Sequence, residues 1–205
     1  MIRITLLHLS LLSFSAWSVC GDLCQWLDGW FDDYLTPVNY NYAHASLARI
    51  HATDQSGLQL AAGALTQLSE TWLLDLNADM NWQQEGGQPM TEARINRFQG
   101  RLDYRLHHTD NWDFLAGIGT SIAQWRHQEQ ESFSIDPVVA VQARGNLAER
   151  LDLELRYQLG DQFDHSWNVA SIGMVFYPVS QVAFNLRGER TDASDNLILE
   201  TRFLF

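Results

Sequence analysis

Between Thr71 and Gln83 apolar and polar residues alternate one by one. Trp72, Leu74, Leu76, Ala78, Met80 and Trp82 fall on one side of an extended chain. Leu73, Asp75, Asn77, Asp79, Asn81 and Gln83 fall on the other. Successive side chains of a strand point to opposite faces, so the spacing predicts a single two-sided strand; a helix would mix the two sets. Tryptophans bracket the apolar side. A strand tilted by roughly 45° needs about 9–11 residues to cross a membrane, with aromatic residues at both interfaces. This stretch has that length and those ends.

The period of two persists from about residue 40 onward. It predicts ten strands, at roughly 42–53, 58–66, 71–83, 93–107, 111–126, 134–144, 149–159, 166–177, 180–189 and 196–205. In the fourth, Phe98, Leu102, Tyr104 and Leu106 oppose Arg97, Gln99, Arg101, Asp103 and Arg105. In the seventh, Leu151, Leu153, Leu155, Tyr157 and Leu159 oppose Asp152, Glu154, Arg156 and Gln158. The first two strands are rich in alanine and glycine, and their alternation is poor; without them the count is eight. The connectors after the odd-numbered strands read slightly longer than those after the even-numbered ones. Short turns at one end and longer loops at the other are the habit of membrane barrels with both termini in the periplasm.

The N-terminus has a different character. Arg3 precedes an apolar run from Ile4 to Phe14, and Ala16 and Ser18 sit at the −3 and −1 positions of a small-residue cleavage site. Residues 1–18 therefore predict a secretory signal, too short to span a bilayer as a helix. A lipoprotein reading through Cys20 is weaker, because Val19 stands where a small residue is needed. No second run of eighteen apolar residues follows, which excludes helical spans. Within residues 19–39 the period changes to three and four. Leu23, Trp26, Leu27, Trp30, Phe31, Tyr34 and Leu35 predict one face of an amphipathic helix over residues 23–35, ended by Thr36-Pro37. Its opposite face is acidic, which favours packing on the barrel or on a partner over binding anionic lipid. Cys20 and Cys24, spaced one helical turn apart in a secreted chain, predict a local disulfide.

Taken together, the signal and residues 40–205 resemble a small bacterial outer-membrane β-barrel. The last strand carries the resemblance furthest. Leu199, Phe203 and the terminal Phe205 stand at alternate positions, with Thr201 as a departure, and resemble the signal read by the barrel-insertion machinery. The resemblance implies an all-β antiparallel transmembrane barrel in the outer membrane of a Gram-negative bacterium. It also implies membrane lipid, lipopolysaccharide and the insertion machinery as partners.

Charge alters the picture of the interior. The chain has 13 basic and 25 acidic side chains, and every basic one is arginine. The acidic balance argues against nucleic acid as a partner. Arginine suits buried bidentate pairing with carboxylates. Asp75, Asp79, Arg97, Arg101, Arg105, Asp152, Glu154, Arg156, Arg187, Glu189, Glu200 and Arg202 all fall on inward phases. A narrow barrel is filled by side chains, and charges there must pair. The expectation is a salt-bridged interior; a narrow polar channel is the alternative.

Catalytic signals are sparse. His51, His127 and His165 fall near one rim, and Asp164, His165 and Ser166 are consecutive. Such residues can build a nucleophile, base and orienter, but consecutive strand residues point apart. The acidic rim residues match no calcium-loop spacing, and no cofactor or metal is expected. Three functions remain: a closed structural or partner-binding barrel, with residues 23–35 as the surface for a periplasmic partner; a lipid A- or phospholipid-modifying enzyme; and a small passive pore.

Overall fold

The computed structural model describes residues 40–52, 56–84, 95–109, 111–127, 130–163, 165–192 and 194–205. The signal expected over residues 1–18, the helix expected over 23–35 within residues 19–39, Cys20 and Cys24 lie outside these residues, as does Asp164.

Ten strands follow one another: β1 (Tyr42–Ala52), β2 (Ser56–Gln67), β3 (Trp72–Gln84), β4 (Ile95–His108), β5 (Trp112–His127), β6 (Gln130–Ala148), β7 (Leu151–Gln162), β8 (His165–Val179), β9 (Val182–Thr191) and β10 (Ser194–Leu204). Each pairs antiparallel with its sequence neighbours, and β1 also pairs with β10, so the sheet closes on itself. Closure removes every sheet edge and satisfies the backbone within the wall. The eight-strand alternative is therefore excluded. β1 and β2 are full staves whose alternation is muted by composition. β1 points His44, Ser46 and Ala48 inward, and β2 points Gly57, Gln59 and Ala61 inward.

The strands run from 10 to 19 residues, enough to cross a membrane at the usual tilt. β6 begins earlier and β7 ends later than alternation alone indicates. This shortens the connectors at the end away from the termini, here called the far end. Only the connection over residues 85–94 is long; the contrast in connector length expected from the sequence otherwise disappears. Register shifts fall near the opposite, terminal end, between Arg105 and His107, Asn146 and Ala148, and Phe176 and Val179. Bulges there tighten the local twist of the wall.

The barrel is apolar outside and polar inside. Ile118, Leu102, Val139, Leu155, Ile172, Leu186 and Leu199 all stand exposed on the outer wall. Soluble monomers do not leave apolar patches of this extent in water. Aromatic residues crowd the terminal end of that wall, where Trp72 meets Tyr104 edge-on at 5.0 Å and Trp112 stacks with Phe114. Phe203 and Phe205 belong to the same outward set. Inside, a small apolar floor of Tyr40, Tyr42, Leu65, Leu73 and Leu115 occupies the terminal end, with Val175, Tyr177 and Ala183 beside it; Leu204 packs against both groups.

Two inward glycines on β5 let this interior pack. A Cβ on Gly119 would lie 2.1 Å from the Gly100 carbonyl oxygen, and one on Gly117 would lie 1.6 Å from Asp103 Oδ1. Without Cβ atoms there, Arg101 and Asp103 of β4 can lie flat over β5.

Candidate functional site

The candidate site is the lumen. Strand alternation points every second residue of ten staves into one narrow space, so residues far apart in sequence meet across it. Two layers form, a tightly paired one toward the terminal end and one holding a cavity toward the far end.

The tightly paired layer is centred on three arginines. Arg202 of β10 reaches Glu154 of β7 with two parallel bonds, Nη1 to Oε1 and Nη2 to Oε2, both 2.7 Å. Its Nε donates to Glu200 at 2.6 Å, and its guanidinium lies 4.5 Å from the centre of the Tyr42 ring. Arg144 of β6 is fully buried; it donates to Asp152 at 3.1 Å and to the Tyr177 hydroxyl, and stands 3.3 Å from Glu154. The Tyr40 ring lies beside Arg144 and Arg105, and the Tyr40 hydroxyl donates to Asp113 at 2.7 Å. Burial pushes the Tyr40 phenol well up, so it remains a donor. Arg101 donates to Asp103 at 2.6 Å and to Asp75 at 2.8 Å.

Several of these bonds cross the lumen. Gln158 of β7 donates to Gln99 of β4 at 3.0 Å, and Arg101 reaches Gln158 at 3.4 Å. β4 and β7 are separated in the wall by β5 and β6. The layer is thus a cross-brace as well as a lining.

Above it lies a cavity of about 70 Å³ lined by His44, Asn77, Arg97, Arg156, Trp167 and Arg187, among others. Arg97 donates to Asp79 at 2.8 Å and lies over the Trp167 ring at 5.7 Å. Arg156 and Arg187 hold carboxylates more loosely, 3.8 Å from Asp75 and 3.7 Å from Glu200. Their side chains keep 21% and 16% exposure, against 2% or less for Arg101, Arg144 and Arg202. By that contrast the cavity layer is more open than the core of Arg101, Arg144 and Arg202.

All twelve charged residues singled out in the sequence point inward; Asp79 with Arg97, Asp75 with Arg101 and Glu200 with Arg187 pair between neighbouring strands, while others find different partners. Arg105 stands 3.6 Å from Asp113 and donates to the Glu70 carbonyl oxygen, not to the β3 aspartates. Glu189 accepts from Asn196 at 3.2 Å. Arg144, Asp113, Tyr40, Tyr42 and Tyr177 escaped the sequence reading. Arg144 was detectable, because it shares the inward phase of Gln142 and Ala140. The tyrosines were not, since Tyr40 precedes the first strand and an inward phenol reads like a girdle residue.

The rim residues do not assemble. Ser166 donates to Asp161 at 2.8 Å, and His165, its chain neighbour, points to the opposite face. His51 lies on the outer face of β1, level with Asp195. Among the described residues no group of three or more His, Cys, Asp or Glu is arranged to hold a metal ion.

No protein-family model and no curated protein matches the chain. Solved structures do. The NanC porin is 8% identical, with a TM-score of 0.48, over 80% of this chain and 100% of its own. The KdgM porin is 4% identical, with a TM-score of 0.46, over 80% and 99%. The outer membrane protease OmpT from Escherichia coli is 6% identical, with a TM-score of 0.47, over 83% and 98%. These are likenesses of barrel form, and they carry nothing about ligand or reaction.

Proposed function

We propose that this chain is an outer-membrane β-barrel with a closed interior, serving a structural or partner-binding role. The observation that supports closure most is the tightly paired layer of Arg101, Arg144 and Arg202, each held by carboxylates and bridging different parts of the wall. A conducting path would have to withdraw at least Arg144 and Arg202 from their partners. Removing one member of a buried pair costs about 3–5 kcal/mol. Two such events amount to roughly 6–10 kcal/mol, and each 1.4 kcal/mol is a factor of ten. Spontaneous opening would then occupy less than about one part in ten thousand.

Outer-membrane placement is supported by the apolar outer wall and the closed strand ladder. Residues 23–35, outside the described residues, carry the partner-binding part of the proposal, because the amphipathic helix that their sequence predicts would have an aromatic face that demands a partner. The pairing of Ser166 with Asp161, apart from His165, gives the enzyme alternative no support.

Two measurements test the reading. The mature protein should fractionate with the outer membrane and migrate faster in detergent gels before boiling than after it. Proteoliposomes containing it should not swell in isotonic arabinose. Soluble periplasmic recovery, or rapid swelling, would overturn it.

A further inference from the structure

The outer wall of a membrane barrel should carry no charge within the hydrocarbon band, since an arginine at the midplane costs several-fold more than one at the interface. Arg49 is the first outward charge on β1 beyond its apolar outward residues Ala43, Ala45 and Leu47. It points outward on β1, exposed, between Leu58 of β2 and Leu197 of β10 in register. Among the described residues it has no carboxylate or hydrogen-bond partner. One step further toward the far end on the same face, His51 stands level with Asp195, and Asp195 with Arg190 of β9. Arg190 is 3.7 Å from Asp195, and both side chains are largely exposed. Arg49, His51 and Arg190 thus share one outward face with the Asp195 carboxylate, which Arg190 approaches.

The height of this patch fixes what it meets. On β10 the outward residues from Leu197 to Phe205 are apolar except for Thr201. Those eight steps measure about 27 Å along the strand at 3.4 Å each. At a tilt of about 40° they rise about 20 Å, close to the thickness of the apolar band. Arg49, level with Leu197, therefore sits at its upper edge, and Arg190 and His51 just above it, at the level of lipid phosphates. Below them the wall is notched. Gly188, level with Leu197, meets nothing within 4 Å of where its Cβ would be, and Ala170 and Ile172 flank the gap with Arg190 and Asp195 above.

We propose that this face is a lipid A site, with Arg49 and Arg190 holding a phosphate and the notch at Gly188 seating an acyl chain. Charge complementarity selects the phosphate: guanidiniums make charge-assisted, bidentate bonds to it. The far-end position selects lipid A over inner-leaflet phospholipid. This assignment rests on the outer-membrane reading above, with the far end external.

The test uses refolded mature protein in detergent and native mass spectrometry with bis-phosphorylated lipid A, chemically dephosphorylated lipid A, phosphatidylglycerol and phosphatidylcholine. The expected result is one retained lipid A per barrel, at least tenfold preferred over phosphatidylcholine. Arg49→Gln with Arg190→Gln should remove at least nine-tenths of that retention, as should dephosphorylation. Gly188→Leu, which fills the notch and leaves both arginines, should reduce it several-fold. Arg126→Gln, an exposed arginine on another part of the wall beside Glu131, should leave it unchanged. Undiminished retention in the double variant, equal retention of dephosphorylated lipid A, or equal retention of phosphatidylglycerol would each overturn the proposal. Heat-modifiable migration of every variant confirms the fold, so a failure of the barrel reading itself would be seen separately.

Discussion

Arg202→Met is the sharpest perturbation of the tightly paired layer. It keeps most of the side-chain volume and removes the charge. Two carboxylates lose their shortest partner, Glu154 at 2.7 Å and Glu200 at 2.6 Å. Both retain a weaker one, Arg144 at 3.3 Å from Glu154 and Arg187 at 3.7 Å from Glu200. Those remaining contacts place the loss near the lower end of the range for a broken buried pair, about 3 kcal/mol. Replacing both sides, Arg202→Met with Glu154→Leu, leaves no orphaned charge at that contact and should recover most of the loss, because a buried pair and a packed apolar substitute are often equivalent. The assay is reversible urea unfolding in lipid vesicles, followed by tryptophan fluorescence, on the wild type, both single variants and the double variant. The coupling free energy should fall between about 1 and 3 kcal/mol, the range for residues sharing one network. A single-variant loss below 1 kcal/mol, or additive single losses, would show that Arg202 does not brace the wall.

Three further outcomes follow from the same geometry. Gly119→Ala should cost about 1–3 kcal/mol in the same unfolding assay, since its Cβ would collide with backbone, whereas Gly188→Ala should be close to neutral; equal effects would contradict the packing described. Ile118→Arg, at the most exposed large apolar residue of β5, should cost about 2–4 kcal/mol in vesicles, and a negligible cost would mean that this wall does not face lipid. Deleting residues 20–35 should lower the melting temperature or abolish a co-purifying partner without preventing membrane insertion, because the ten strands close without them; no change in either property would leave those residues without the proposed role.

The fold was legible where one residue type dominates each face. β3, β4 and β7 place large aliphatics against charges, so both their existence and their facing were readable from alternation. β1 and β2 were harder, because alanine and glycine serve either face, and only ring closure shows that they must be strands. The far-end connectors were overestimated because polar residues continue the strands of β5 to β8 past the apolar band, where alternation loses its contrast. Inward charge was equally legible, since phase alone decides it. Pairs between neighbouring strands, such as Asp79 with Arg97 and Asp75 with Arg101, were legible too; pairs across the lumen were not. Cross-lumen partners such as Arg202 and Glu154 depend on barrel circumference and stagger, and the floor of Tyr40, Tyr42 and Tyr177 depends on where strands end. The outward position of Arg49 follows from the register of β1, the strand whose alternation was least readable.

Single-channel recording in planar bilayers tests closure most directly. Purified wild-type protein, inserted at 1 M KCl and ±100 mV, should show no steady conductance steps. Removing the brace with Arg144→Ala and Arg202→Ala together should produce flickering steps if the barrel still folds. Steady, uniform steps from the wild-type protein would contradict a sealed lumen and make the barrel a pore.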